Sequence, residues 1–190
     1  MAATSLALAA SPATAIFAGG CFWCMEPPFD AAEGVIRTRV GYTGGHVANP
    51  TYEQVVSKAT GHYEAIEVVY DPAKISYEQL LGIFWENIDP TDAGGQFADR
   101  GQSYQTAIFY LDDLQKKAAE RSTSEVAKKL GSPVATKILA ASKFYPAEDY
   151  HQEYYKKNAL RYDAYKYGSG RPERLKEIWG EGADSTLGTQ

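Results

Sequence analysis

The chain has 190 residues and a formal net charge of −5, with 44% hydrophobic and 23% charged residues. That is enough chain for one domain with a real core, and a mildly acidic surface without a Lys/Arg cluster excludes an electrostatic attraction to nucleic acid or to an anionic membrane. Its two cysteines, Cys21 and Cys24, make no disulfide scaffold.

Residues 1–13 are rich in Ala and Ser and lack the basic start of a secretory signal. The apolar run Leu6–Ala10 is too short to span a membrane, so a flexible leader is expected here. Thr14–Gly20 reads as a short buried strand ending in two glycines. Phe22–Ala32 carries Phe22, Met25 and Phe29 at helical spacing. Pro27 and Pro28 place the helix start, or a kink, near themselves, because proline is well tolerated only in a first turn. Val35–Tyr42 reads as a strand, Gly41–Gly45 as a turn-rich loop and Tyr52–Ser57 as a short helix. His62–Tyr70 is a strand rich in β-branched residues near its end. Ser76 caps a helix to Asn87, with Leu80, Leu81 and Phe84 on one side.

Asp89–Ser103 is polar and glycine-rich, a long loop of the kind that often carries function. A strand over Tyr104–Leu111, a charged amphipathic helix over Asp112–Leu130, a strand over Val134–Leu139 and a helix over Glu148–Tyr155 follow. Beyond Tyr167 the richness in Gly, Ser, Arg and Glu predicts an irregular tail over 168–190. Alternating strands and helices, without a repeat or linker, predict an α+β fold in two layers. Its single catalytic domain would span 14–167.

The chemistry concentrates at Gly20-Cys-Phe-Trp-Cys24. A strand, two glycines and then a cysteine at a helix start is an arrangement that makes a thiol reactive. The unpaired N–H groups of a helix N-terminus favour an anion and lower the pKa of a cysteine placed there. Cys24 sits one turn on and could close a disulfide with Cys21. A zinc site would need two further ligands, and His46, His62 and His151 show no ligand spacing, so no metal is expected. Two buried cysteines without a role remain an alternative on local pattern.

Four blocks in order then carry a resemblance. They are Gly20-Cys-Phe-Trp-Cys24, Val40-Gly-Tyr-Thr-Gly-Gly45, Pro50-Thr-Tyr52 through Gly61-His-Tyr-Glu64, and Asp89-Pro-Thr-Asp92 through Asp99-Arg-Gly-Gln-Ser-Tyr104. Over roughly residues 14–167 the chain resembles the A-type peptide-methionine sulfoxide reductases. The expected fold is then a two-layer α/β sandwich with a ferredoxin-like plait core. The expected activity is thiol-dependent reduction of methionine S-sulfoxide, free or in oxidised proteins, and hence repair.

The resemblance implies roles residue by residue. Cys21 attacks the sulfoxide sulfur. Glu64 is the acid, kept protonated by an apolar pocket. Tyr52 and Tyr104 donate hydrogen bonds to the sulfoxide oxygen. Asp99 and His151 help orient the site, with His151 at its substrate-binding edge. Phe22 and Trp23 form an apolar wall for the substrate methyl group. On pattern alone Glu64 would be an exposed strand carboxylate, Asp99 a turn cap, Tyr52 and Tyr104 core residues, Phe22 and Trp23 plain packing, and His151 a surface histidine of a helix.

Many relatives carry a resolving cysteine in the C-terminal tail, and residues 167–190 contain none. Cys24 is therefore the expected resolving thiol, with thioredoxin or another external thiol reductant closing the cycle and no bound cofactor. A monomer in the cytoplasm is expected, since a reducing compartment recycles such an enzyme. Two other classes compete: a general dithiol-disulfide oxidoreductase using Cys21 and Cys24, and an aromatic-rich module that binds methionine-containing peptides.

Overall fold

The computed structural model describes residues 11–180. The expected leader over 1–13 falls mostly outside the described residues, and Ala13 already opens the first strand. In chain order the elements are β1 (Ala13–Gly19), α1 (Phe22–Asp30), β2 (Val35–Thr43), α2 (Tyr52–Val56), β3 (Tyr63–Tyr70) and α3 (Tyr77–Glu86). A small hairpin of β4 (Gly95–Gln96) and β5 (Asp99–Arg100) and a 3-10 turn (Gln102–Tyr104) come next. Then follow β6 (Thr106–Tyr110), α4 (Asp113–Leu130), β7 (Lys137–Ala140), β8 (Tyr145–Pro146), α5 (Tyr154–Lys157), α6 (Ala159–Gly168) and α7 (Arg171–Trp179).

One six-stranded sheet runs in the order β7-β6-β1-β3-β2-β8. Its pairings are antiparallel except β6 with β7, which the helix α4 joins as a parallel crossover. The central strand β1 is buried on both faces, which is why it reads as a continuous apolar run rather than an alternating one. Phe17 points to the helical side and stacks between Phe29 of α1 and Phe84 of α3, at 5.4 and 5.1 Å between ring centroids. The main core lies there, with Met25, Ile66, Val68, Leu80, Leu81 and Ile108 beneath α1, α3 and α4. Ile16, Ala18, Ala65 and Phe109 form a smaller cluster, covered by Leu139, Ala141 and Phe144.

Local signals explain most helix ends. Ser76 caps α3, as the sequence suggested, and forms a reciprocal capping box with Gln79. Asp112 accepts the Gln115 N–H at 2.8 Å to start α4, and Gly131 ends it at φ +61°.

Three expectations are corrected. Helix α1 starts at Phe22, ahead of the prolines, and runs through Pro27 and Pro28 to Asp30. Each proline removes an N–H donor from the turn before it, but burial of Phe22, Met25 and Phe29 holds the helix regardless. The helix expected over Glu148–Tyr155 is replaced by turns, and α5 starts only at Tyr154. Gln152 spends its side-chain amide on Val40 N–H and C=O, both at 2.9 Å, and Glu153 adopts φ +50° with its N–H donated to Glu26 at 2.8 Å. Tertiary partners have replaced helical ones.

The third correction concerns the irregular tail. Residues 171–179 form α7, and residues 181–190 lie outside the described residues. Gly170 at φ +75° and Pro172 in the first turn are helix punctuation, not signs of irregularity. Trp179 Nε1 donates to Ile88 C=O at 3.0 Å, and Arg174 pairs with Asp89 at 2.8 Å. Among the described residues no helix is long and apolar enough to cross a membrane.

Leu175, at 0% exposed, anchors α7. Leu175→Ala should lower stability by about 2–5 kcal/mol, read by urea denaturation, as for other buried leucines. A change below about 0.5 kcal/mol, as at exposed sites, would mean that α7 is not packed in solution.

Candidate active site

The Gly19-Gly20 step that ends β1 is shaped by space and by backbone geometry. A Cβ on Gly19 would meet Met25 Sδ at 2.4 Å. Gly20 lies at φ +83°, and a Cβ there would meet Gln96 Cβ at 2.5 Å. These glycines set Cys21 at the N-cap position of α1. Cys24 follows one turn on, its N–H donated to Cys21 C=O at 3.1 Å. Both thiols are free and buried.

Glu64 reaches the same point from β3. It shares strand parity with Ile66 and Val68 and therefore faces the helical side. At 1% exposed it is not the surface carboxylate that pattern alone suggests. Its Oε2 accepts the Phe22 N–H at 3.1 Å, the first amide of α1. Burial raises its pKa from the ordinary 4.5 to about 8, with Asp99 adding to the rise and the Phe22 N–H and Tyr104 opposing it. At neutral pH Glu64 is therefore mostly protonated.

The thiols depart from expectation. The Cys21 side chain makes no capping hydrogen bond to α1, and the first amide of the helix goes to Glu64. Burial pushes the Cys21 thiol up, with Cys24, Glu64 and Asp99 adding to it. Cys24 instead goes down to about 7, because Cys21 donates to its sulfur and Arg171 and Lys166 favour the anion against burial. The pair thus releases one proton readily and keeps the other between two sulfurs.

Tyr52, Tyr104 and Asp99 surround this point. Burial and the nearby Glu64 push Tyr52 up to about 12 and Tyr104 higher, so both stay hydrogen-bond donors. Asp99, on the hairpin, accepts the Tyr165 hydroxyl, and burial raises its pKa. Tyr52 is fixed through its own N–H, donated to Glu148 Oε1 at 2.9 Å, while Glu148 Oε2 accepts the Tyr42 hydroxyl at 2.8 Å.

An aromatic wall completes the site. Phe22 packs on Tyr42 and His151, at 5.9 and 5.1 Å. Trp23 is half-buried and stacks on Tyr154 at 3.8 Å with planes 6° apart. Its Nε1 donates to His151 Nδ1 at 2.9 Å. His151 is 1% exposed, not a surface histidine, and burial lowers its pKa. Accepting at Nδ1 assigns its proton to Nε2 in the neutral ring. The sequence reading missed Tyr165, Arg171, Tyr154 and Glu148, whose importance comes from contacts across long stretches of chain and has no local motif. Among the described residues no group of three or more His, Cys, Asp or Glu could hold a metal ion. His62 spends its ring on Gly45 N–H at 3.1 Å and Val47 C=O at 2.7 Å.

Residues 13–183 match the family model described as peptide methionine sulfoxide reductase. The chain is 54% identical over 176 residues to the peptide methionine sulfoxide reductase MsrA of Bacillus licheniformis, covering 90% of this chain and 95% of the relative. Methionine sulfoxide reductase A of Corynebacterium diphtheriae superposes with a TM-score of 0.75 at 35% identity, covering 78% of this chain and 76% of that one. Reduced Mxr1 from Saccharomyces cerevisiae gives 0.75 at 29% identity, covering 78% and 86%. The chain therefore belongs to the peptide methionine sulfoxide reductase family.

Proposed function

We propose that the protein reduces methionine S-sulfoxide, free or in oxidised proteins, with Cys21 as nucleophile and Glu64 as acid. The observation that carries this reading is the Glu64 carboxyl, buried, protonated near neutrality and bonded to the amide next to Cys21. A sulfoxide concentrates negative charge on oxygen, so attack at its sulfur needs a proton or strong donors on that oxygen. Glu64 supplies the proton, and Tyr52 and Tyr104 supply hydrogen bonds. Phe22 and Trp23 receive the methyl group, His151 holds the indole, and Asp99 orients the far side.

In the first step the sulfoxide oxygen passes to Cys21 sulfur, leaving methionine and a sulfenic acid. Cys24 then attacks that sulfur, giving a disulfide and water. At a separation of three residues on a helix the Cβ atoms lie about 5–6 Å apart, so closure needs only a small inward movement. An external dithiol of the thioredoxin type takes the disulfide by exchange and becomes oxidised itself. A reducing cytoplasm suits that step. The strand order β6-β1-β3-β2, with α1 and α3 on one side, supports a ferredoxin-like plait as the core.

A general dithiol oxidoreductase would use the same cysteines and leave Glu64 idle. Cys21→Ser should abolish turnover of a sulfoxide peptide, followed by chromatography, with circular dichroism unchanged. An active Cys21→Ser enzyme would sink the reading. After one equivalent of sulfoxide, peptide mass spectrometry should find Cys21 and Cys24 joined and lighter by two hydrogens. A lasting sulfenic acid would remove Cys24 from the mechanism.

The pH dependence follows from the two buried groups. The rate should rise as the thiol pair ionises near pH 7 and fall above about pH 8 as Glu64 loses its proton. Glu64→Gln should lose the alkaline limb and keep part of the rate, since an amide still donates. Folding also favours the protonated form of Glu64. The raised Glu64 pKa stabilises below about pH 4.5, and that stability is lost as pH rises to about 8. Urea melts across that window should show Glu64→Gln gaining on the wild type. Parallel curves would mean an unshifted Glu64.

A further inference from the structure

Helix α7 contributes a cation to the site that no step above uses. Arg171 opens α7 and is 3% exposed. Its Nη2 donates to Gly19 C=O at 3.2 Å and its Nη1 to Asn87 C=O at 2.6 Å. The guanidinium lies over the Phe97 ring, 4.4 Å from its centroid. A Cβ placed on Gly20 would stand 3.5 Å from Nη2, so the charge rests against the peptide that leads into Cys21. Gly19 ends β1, Asn87 follows α3, and Phe97 sits in the hairpin turn at φ +55°, two residues before Asp99. One side chain thus joins the segment leading into Cys21, the end of α3 and the hairpin that carries Asp99.

We propose that Arg171 is a positioning residue, fixing the Gly19–Cys21 turn and acting as the cation set against the thiol pair. The proposal rests on the reading of Cys21 and Cys24 as the reacting thiols. Burying a guanidinium is costly unless it is well partnered. Both of these hydrogen bonds go to neutral carbonyl groups, so they occupy N–H donors without cancelling the charge. The charge acts on Cys24 and on Asp99, favouring the ionised form of each. The groups facing the thiols are Tyr52 from α2, Glu64 from β3, Asp99 from β5, Tyr104 from the 3-10 turn, Tyr165 and Lys166 from α6, and Arg171 from α7. Arginine suits this place better than lysine, because its planar fork bridges two carbonyls and stacks on a ring at once.

The test compares Arg171→Met, which keeps length and loses charge, with Arg171→Lys, which keeps charge and loses the bridge. Iodoacetamide alkylation of Cys21 and Cys24 is followed by peptide mass spectrometry across pH, beside kcat and KM on a sulfoxide peptide. Arg171→Met should move the thiol titration up by about one pH unit, an alkylation rate about 5-fold lower at pH 7 and about 10-fold lower below about pH 6. Its kcat should fall about 10- to 100-fold with little change in KM, as for a slightly misplaced nucleophile. Arg171→Lys should keep the titration and still lose kcat. A wild-type titration in Arg171→Met overturns the proposal, and so does a wild-type kcat in Arg171→Lys, which decides the matter if the Met variant does not fold. Cys21→Ser in the same turnover assay keeps the two levels apart. If it is active, the thiol reading itself falls; if it is dead while the Arg171 variants behave as wild type, only this inference does.

Discussion

The hydrogen bond from Phe22 N–H to the Glu64 carboxyl is the contact on which the rest of the site depends. It joins the first amide of α1 to the central part of the sheet through β3, fixing the distance between the proposed acid, Glu64, and the proposed nucleophile, Cys21, 43 positions apart in the chain. A helix N-terminus offers several unpaired amides, and here the first goes to a carboxyl group rather than to the thiol. The consequence is a division of labour. The helix start steadies the acid, and the thiol pair relies on its own internal hydrogen bond and on cations from α6 and α7.

Burial is the common cause of the unusual titration behaviour. Cys21, Glu64, Asp99, Tyr52 and Tyr104 are all driven toward their neutral forms, chiefly by removal from water. Neutral donors around a polar substrate oxygen stabilise charge that develops during reaction without having to reorganise. The fold carries a cost for this, since the same groups oppose folding as pH rises. The cost is offset elsewhere, by the Phe17, Phe29 and Phe84 stack and by the clusters beneath α1, α3 and α4.

The C-terminal helices pack against the candidate site rather than standing apart from it. Tyr154 stacks on Trp23, Tyr165 donates to Asp99, and Arg171 holds the turn before Cys21. These contacts wall the site on the side away from β3. They also explain why residues 171–179 fold as a helix: their packing partners are the ends of β1 and α3.

The sequence by itself determined the elements whose signals are local. The cap at Ser76, the Asp112 start and Gly131 end of α4, the apolar run of β1 and the placing of Cys21 at a helix start follow from hydrogen bonds and periodicities within a few residues. The ordered blocks around Cys21, Tyr52, Glu64, Asp99 and Tyr104 also marked the site, through resemblance. Tertiary structure decided the rest. Whether α1 tolerates Pro27 and Pro28, whether 148–153 coils or turns, and whether the tail folds depended on partners more than fifty residues away, such as Val40 for Gln152 and Ile88 for Trp179. The same holds for Cys21 and Cys24. A helix start predicts a depressed pKa for Cys21, but burial raised it, while the hydrogen bond from Cys21, together with distant cations, lowered Cys24. Electrostatics in a buried site is a sum over neighbours, and the neighbours are set by the fold.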